Sequence, residues 1–316
     1  MALTKNQQTM EKIREMAGKA FQGKEIRDCQ ELTEGMCNVA YRITFTDGSN
    51  TILKIAAADT SGYMTNEIHL MSAEVKAMEL AEKALPGMIA QVYEHDASKT
   101  LCSGEYFFMQ VLEGENFFLK SGSMSEEEKS EINKQIGRLV RRLATISGEY
   151  FGLLGDEEHR FRTQYEFLRY LLSNVTMDAD RKEVEYFTTG AELLALLERD
   201  KHIFDEVTVP AFVHYDMWEG NVFIKGQKVT GIIDWERALF GEPLMEDRFR
   251  RHTRNAAFLR GYGQESFTES EMRRIYWYDV LLYLTMMTEG KYRGYADDSQ
   301  YQWVAPLFQA SLAELQ

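Results

Sequence analysis

The segment Phe212-Val213-His214-Tyr215-Asp216-Met217-Trp218-Glu219-Gly220-Asn221-Val222-Phe223-Ile224 continues through Lys225-Gly226-Gln227-Lys228 into Val229-Thr230-Gly231-Ile232-Ile233-Asp234-Trp235-Glu236, and its pattern decides the fold. Two short apolar strands, 222–224 and 229–233, are joined by a Gly-containing turn. His214, Asp216 and Asn221 stand just before the first strand, and Asp234 stands just after the second. In such a hairpin the entry to the first strand lies beside the exit from the second. Asn221 and Asp234 therefore converge, with Asp216 on the loop leading in.

That convergence has a chemical meaning. Phosphoryl transfer asks a protein for positioning and for neutralisation of phosphate charge, with little covalent work. A carboxylate and an amide oxygen are hard ligands suited to Mg²⁺, which keeps several waters and bridges phosphate oxygens. A separate Asp, five residues before the Asn, is placed to accept a hydroxyl proton.

Working outward, the N-terminal half reads as a small sheet. Met10, Ile13, Ala17 and Phe21 mark one face of an opening helix. Val39, Tyr41, Ile43 and Phe45 alternate with more polar neighbours, Asp47-Gly48 makes the turn, and Thr51–Ile55 returns. A preceding strand is expected over Ile26–Leu32, a helix over 64–84, and further strands over Ala90–Glu94 and Tyr106–Leu112. Lys54 lies in the otherwise apolar run Ile52-Leu53-Lys54-Ile55, and an interior Lys needs a charged partner. Beyond Glu113-Gly114 the pattern is mostly helical. Ser125 and Glu128 form a capping box ahead of Ile132, Ile136, Leu139, Val140, Leu143 and Ile146. Helices are expected at 163–175 and 182–199, after the capping pair Thr268/Glu271, and over 300–315. The expected class is α+β and bilobal: a small antiparallel-sheet lobe with one inserted helix over residues 1–112, and a larger, mostly helical lobe over 113–316.

His214-x-Asp216-x₄-Asn221, followed thirteen residues later by Ile233-Asp234-Trp235-Glu236, resembles the signature of the aminoglycoside phosphotransferase and choline kinase superfamily, which has the protein-kinase-like fold. The resemblance covers roughly residues 25–250. It implies that Asp216 is the catalytic base and that Asn221 and Asp234 hold Mg²⁺, with ATP as the phosphate donor and GTP open. It further implies that Lys54 reaches the α- and β-phosphates, paired with a Glu on the following helix. Glu74 fits the family spacing, with Glu67 as competitor and Glu79 as a third candidate. The loop Glu34-Gly35-Met36-Cys37-Asn38-Val39 resembles the phosphate-covering loop, with Gly35 and Asn38 as its contacts. Tyr106–Gly114 resembles the hinge that reads adenine, through the Gln110 carbonyl and the Leu112 amide, with Met109 at the back of the pocket. Departures are Tyr215, where the family often has Gly, and Met217-Trp218-Glu219, which replaces the commoner Leu-His-Pro. Gly241-Glu242-Pro243-Leu244-Met245-Glu246-Asp247 resembles the family's Gly-Asp-Pro…Asp stretch, with Glu at the second position.

Family members phosphorylate aminoglycosides, choline, homoserine, methylthioribose and fructosamines, many of which carry amines. An acceptor group of Trp218, Glu219, Glu236 and Asp247, with Glu242 and Glu246 nearby, would suit a cation, and an aminoglycoside-like polyamine is the leading expectation. Trp218, Trp235, Tyr276, Trp277 and Tyr278 are aromatic candidates for a cation cage. A protein kinase is disfavoured, because Asp234 is followed by Trp235-Glu236 in place of Phe-Gly and no Ala-Pro-Glu follows. A non-catalytic nucleotide-binding regulator would not need base, metal ligands and phosphate Lys together.

Composition agrees. The chain has 316 residues, 44% hydrophobic and 27% charged, as expected for a folded protein of two lobes. A formal charge of −14 argues against nucleic acid as a partner, since phosphate backbones demand clustered Lys and Arg. The three cysteines, Cys29, Cys37 and Cys102, lack metal-ligand spacing and suit free thiols in a reducing compartment. No apolar run approaches a membrane span. A cytoplasmic monomer or homodimer acting on a nucleotide and a small molecule is the expectation.

Overall fold

The computed structural model describes residues 5–33 and 38–316. Gly35 and Cys37, both part of the expected phosphate-covering loop, lie outside the described residues.

The N-terminal half opens with α1 (Met10–Ala20), capped by the Thr9 side chain on the Lys12 amide. A five-stranded antiparallel sheet follows, built from β1 (Ile26–Leu32), β2 (Val39–Phe45), β3 (Asn50–Ile55), β4 (Val92–Asp96) and β5 (Tyr106–Met109), in the order β1-β2-β3-β5-β4. The alternation in β2 buries Val39, Tyr41, Ile43 and Phe45 against Ile13, Met16 and Ala17 of α1, with Leu53 and Ile55 of β3 in the same cluster. Strand periodicity then turns Lys54 to the opposite face. The Asp47-Gly48 turn forms as read, with Gly48 at φ 85° and the Asp47 carboxylate accepting from the Ser49 amide.

Between β3 and β4 stands α2 (Leu70–Ala84), six residues shorter at its start than the pattern suggested. Residues 64–69 form a strap. The Glu67 carboxylate accepts from the Met64 amide, and His69 takes a left-handed conformation at φ 45°, so local side-chain bonding displaces the first helical turns. The strap is tied to the other half of the chain. Thr65 donates through its amide and hydroxyl to Asp178, both at 2.7 Å, and the Asn66 amide donates to the Leu171 carbonyl at 3.1 Å. The apolar face of α2, including Met71, Val75, Ala77, Met78 and Ala81, joins the core of the helical half.

After β6 (Glu115–Asn116) come α3 (Phe117–Ser121), α4 (Glu126–Leu143), β7 (Gly152–Leu153), α5 (Gln164–Arg181), α6 (Gly190–Arg199), β8 (Ala211–Val213), β9 (Val222–Lys225), β10 (Lys228–Ile232), β11 (Leu239–Gly241), α7 (Ala256–Tyr262), α8 (Glu269–Arg293) and α9 (Ser299–Ala313). The capping boxes Ser125/Glu128 and Thr268/Glu271 are both present. The stretch expected as helix from 182 is helical only from Gly190, where Thr189 and Glu192 form a further capping box; before it, Glu183 and Phe187 adopt positive φ. Two small sheets, β10-β9-β6 and β7-β11-β8, carry the signature segment. The fold is mixed α and β, with a five-stranded antiparallel sheet followed by a helical half, as the sequence indicated.

Candidate active site

The loop between β8 and β9 is held rigidly. His214 is fully buried; its Nδ1 accepts from the Asp216 amide at 3.2 Å, so Nε2 carries the hydrogen and donates to the Ile233 carbonyl at 3.0 Å. Burial pushes its pKa down, consistent with this neutral tautomer. The ring thus ties the loop to the end of β10. The Asn221 side-chain amide donates to the Asp216 carbonyl at 2.8 Å and to its carboxylate at 3.3 Å, while the Asn221 carbonyl accepts from the Ile233 amide at 3.0 Å. The hairpin reading therefore holds at atomic detail: Asp216, Asn221 and the approach to Asp234 are linked by direct hydrogen bonds.

Two side chains that the sequence reading placed elsewhere or missed complete the frame. The Glu246 carboxylate accepts from the backbone amides of Tyr215, Met217 and Asp247 at 3.2, 3.1 and 2.9 Å. Arg248 Nε donates to the Met217 carbonyl at 2.6 Å. Both clamp the backbone around Tyr215 (φ 71°), which like Asp234 (φ 67°) occupies the left-handed region, a conformation that costs about 1–2 kcal/mol for a residue with a Cβ.

Across the cleft, Lys54 Nζ lies 2.7 Å from Glu74, 3.0 Å from Asp234 and 3.6 Å from Glu236. Burial alone would lower the Lys54 pKa, but the three carboxylates hold it well above its ordinary value. Burial raises Glu74 to about 7 against the pull of Lys54. Burial would also raise Asp234, but Lys54 outweighs it and the pKa falls below the usual carboxylate value. Glu236 is raised, first by burial and then by Asp234. Carboxylate oxygens of Glu74, Asp234 and Glu236 lie within 4.8 Å of one another, and the Lys54 ammonium is the cation among them. This hard-oxygen set fits a divalent cation. Glu67, the competitor for Lys54, instead pairs with Arg293 at 2.5 Å.

Asp216 is partly buried. Burial raises its pKa to about 7; Arg237 pulls it down, while Asp234, Asp247 and Glu246 push it up. Arg237, unnoticed in the sequence, sits 3.1 Å from Glu289 and 4.0 Å from Glu67, and is the main positive charge acting on Asp216. Its position three residues after Asp234 was the available signal.

The residues expected to meet nucleotide and acceptor are placed as follows. Asn38 donates to Glu236 at 2.8 Å, so Glu236, expected with the acceptor, lies on the Lys54 side. Met109 is half-buried and its carbonyl accepts from the Thr51 hydroxyl; Gln110 is exposed and Leu112 packs against Gly231. Trp218 is 41% exposed, with its ring over Gly220 and 5.4 Å from Phe118. Glu219 lies 4.0 Å from Arg248. Asp247 is buried, with the imidazole of His252, kept neutral by burial, 3.7 Å away; burial raises Asp247 to about 6 against the pull of Arg248 and Arg250. Glu242 is not an acceptor-side acid: it is buried, bound by Arg274 Nε at 3.0 Å and by the Tyr278 hydroxyl. The aromatic cage does not form, because Trp235, Trp277 and Tyr278 are core residues with 1% exposure or less.

A search of curated protein sequences returns no match. Solved structures do match. The aminoglycoside phosphotransferase APH(4)-Ia, in a thermostable mutant in ternary complex with AMP-PNP and hygromycin B, is 19% identical at a TM-score of 0.66, covering 96% of this chain and 98% of that one. A provisionally described fructosamine-3-kinase from Haemophilus somnus 129PT is 14% identical at a TM-score of 0.68, covering 95% and 96%. A provisionally described aminoglycoside phosphotransferase from Ralstonia eutropha JMP134 is 11% identical at a TM-score of 0.65, covering 97% and 98%. These likenesses establish the protein-kinase-like fold. Residues 28–273, most of the chain and the span that holds Lys54, Glu74, Asp216, Asn221 and Asp234, match the phosphotransferase enzyme family, and the protein belongs to it as a small-molecule kinase.

Proposed function

We propose that the protein transfers the γ-phosphoryl group of Mg·ATP to a hydroxyl of a small molecule, with Asp216 as the base. The observation that carries this is the meeting of Lys54, from β3, with Asp234 and Glu236, from the end of the β9–β10 hairpin, next to the Asp216–Asn221 hydrogen bond. Asp234 and the Asn221 side-chain oxygen would hold the magnesium ion, and Glu236 is close enough to join them or to bind a metal-bound water. The ion would neutralise charge on the β- and γ-phosphates. Lys54, kept charged and steered by Glu74, bonds the α- and β-phosphate oxygens. The Gln110 carbonyl and Leu112 amide face the adenine, and Asn38, held by Glu236, borders the phosphates.

In the transfer, the acceptor oxygen forms a bond to the γ-phosphorus as the bond to the β–γ bridging oxygen breaks. The hydroxyl proton passes to an Asp216 carboxylate oxygen, and the nucleoside diphosphate leaves. His214, Glu246 and Arg248 keep that carboxylate in place without touching substrate. The boundary between the nucleotide-binding part and the rest is placed at 112/113, just before Gly114 (φ 122°), whose close approach to the Ile224 carbonyl leaves no space for a side chain. Trp218, Glu219 and Asp247 border the acceptor. Glu236, Glu242 and Glu246 are engaged by Lys54, Arg274 and backbone amides, which leaves Glu219 and Asp247 as the acids bordering the acceptor.

The test is a coupled ADP-release assay with Mg·ATP and a panel of amino alcohols, sugars and aminoglycosides. Asp216→Asn is expected to lower kcat about 10²–10⁴-fold with folding intact. Full activity in that variant would remove Asp216 from the role of base.

A further inference from the structure

Tyr215 precedes the base Asp216 and takes a left-handed backbone at φ 71°. A glycine would adopt this conformation freely; a tyrosine holds it only because Glu246 grips the amides on both sides of Asp216. Backbone strain at a site of chemistry is a pointer to function. The phenol that this strain positions lines a cavity of about 60 Å³.

The cavity, partly open to solvent, is lined by the strap (Met64, Asn66, Glu67, Ile68), by Leu171 of α5, by Leu281 and Thr285 of α8, and by Glu236, Arg237 and Ala238 after the hairpin. Its wall is mainly apolar, and its charged members are already matched. Glu67 pairs with Arg293, Arg237 with Glu289, and Glu236 with Lys54 and Asn38. The Tyr215 hydroxyl makes no hydrogen bond among the described residues. Its pKa is pushed up to about 12, chiefly by burial, so it stays a neutral donor. At about 15 Å³ per water-sized occupant, such a cavity takes on the order of four heavy atoms. Its wall offers no unpaired carboxylate to a polycationic aminosugar, since Glu67 and Glu236 are both taken.

We infer that this cavity is the specificity pocket for the acceptor: it receives a compact branched apolar group next to the reacting hydroxyl, and the Tyr215 hydroxyl bonds a polar atom beside it. The acceptor class is a small amphipathic alcohol with at most one amine. This rests on the kinase reading with Asp216 as base and names its substrate class. Tyr215 is a specificity residue; it takes no part in proton transfer.

The test compares 2-amino-3-methylbutan-1-ol, 3-methylbutan-1-ol and kanamycin as acceptors, with Mg·ATP affinity measured separately by calorimetry. The branched alcohols are expected to be phosphorylated with kcat/KM at least about tenfold above kanamycin. Thr285→Met, which narrows the cavity from the permissive α8 surface, and Tyr215→Phe, which removes only the hydroxyl, are each expected to raise the acceptor KM about tenfold with Mg·ATP affinity changed less than about twofold. Preferred use of kanamycin, or an acceptor KM unmoved in both variants, overturns the assignment. If neither alcohol is phosphorylated while the wild type hydrolyses Mg·ATP at a rate lost in Asp216→Asn, the cavity assignment falls and the base stands. Hydrolysis that survives Asp216→Asn removes the base itself.

Discussion

The two sides of Asp216 are built on different principles. On the phosphate side, Lys54, Glu74, Asp234 and Glu236 form one charge cluster around the Lys54 ammonium, recruited from β3, α2 and the end of the β9–β10 hairpin, with the Asn38 amide on Glu236. On the acceptor side, polar groups serve the protein's own backbone. Glu246 holds three amides, Arg248 holds the Met217 carbonyl, Glu242 is consumed by Arg274, and what remains is an exposed Trp218 and the proposed acceptor cavity, mainly apolar, which meets the phosphate side at Glu236. On the proposed reading, a site for one invariant ligand, a nucleotide with its metal, can commit its charges. The side that selects the acceptor is left to shape and to a few donors.

Four experiments break or sharpen that contrast, the largest effect first. Asp216→Asn, assayed for phosphoryl transfer, is expected to lose the 10²–10⁴-fold given by a positioned base, with Mg·ATP binding retained, because the phosphate side is untouched. Lys54→Met leaves three carboxylates facing one another; a loss of about 3 kcal/mol in urea-unfolding stability is expected at pH 7, together with loss of nucleotide binding. If Lys54→Met melts like the wild type, the cluster is not the tightly coupled unit described here.

Asp216→Asn also carries a stability signature of opposite sign. Burial holds the folded-state pKa near 7, above the unfolded carboxylate, so the folded form retains a proton that the unfolded chain has lost. Stability therefore falls as pH rises from about 4 to about 7, and the amide removes that slope. At pH 7.5 the variant should be more stable than the wild type by about 1–3 kcal/mol, and the two should coincide near pH 4. Equal denaturation midpoints at both pH values would show that the base is not strained by its setting. Smallest of the four, Trp218→Ala is expected to raise acceptor KM about fivefold, near 1 kcal/mol, with nucleotide KM unchanged. An equal rise in both would place the indole on the wrong side of the comparison.

The phosphate side was legible in the sequence because its ligand fixes the spacing. His214-x-Asp216-x₄-Asn221 with Asp234, and a lone Lys54 in an apolar strand, are needed at those positions whatever the acceptor is. The partner choice, Glu74 over Glu67, also emerges from spacing, and the 2.7 Å ion pair agrees. The acceptor side was opaque for a specific reason: an acid near the base reads the same whether its carboxylate faces a ligand, an arginine or a backbone amide. Glu236, Glu242 and Glu246 were grouped together on that ground, and the fold sends them to Lys54, Arg274 and the Tyr215–Met217 loop respectively. Arg237 was overlooked because a surface arginine after Glu236 looks ordinary until Glu289, fifty-two residues on, is brought against it. The strap before α2 reads as helix because its apolar spacing is helical; the local bond from the Met64 amide to Glu67 and distant contacts with Asp178, Leu171 and Arg293 hold it otherwise.

Those contacts also order the birth of the protein. A ribosome releases the chain at about 5–20 residues per second, and N-terminal parts fold as they emerge. The sheet and α1 have a cluster of their own and can consolidate early. The helix carrying Glu74 cannot, because its apolar face and its strap are completed by side chains as late as Arg293. A chain cut short before α8 would have its lysine but no firmly seated glutamate. The Lys54–Glu74 pair is thus expected to settle only after α8 has been made, and a chain ending before Glu269 should lack its ordered form.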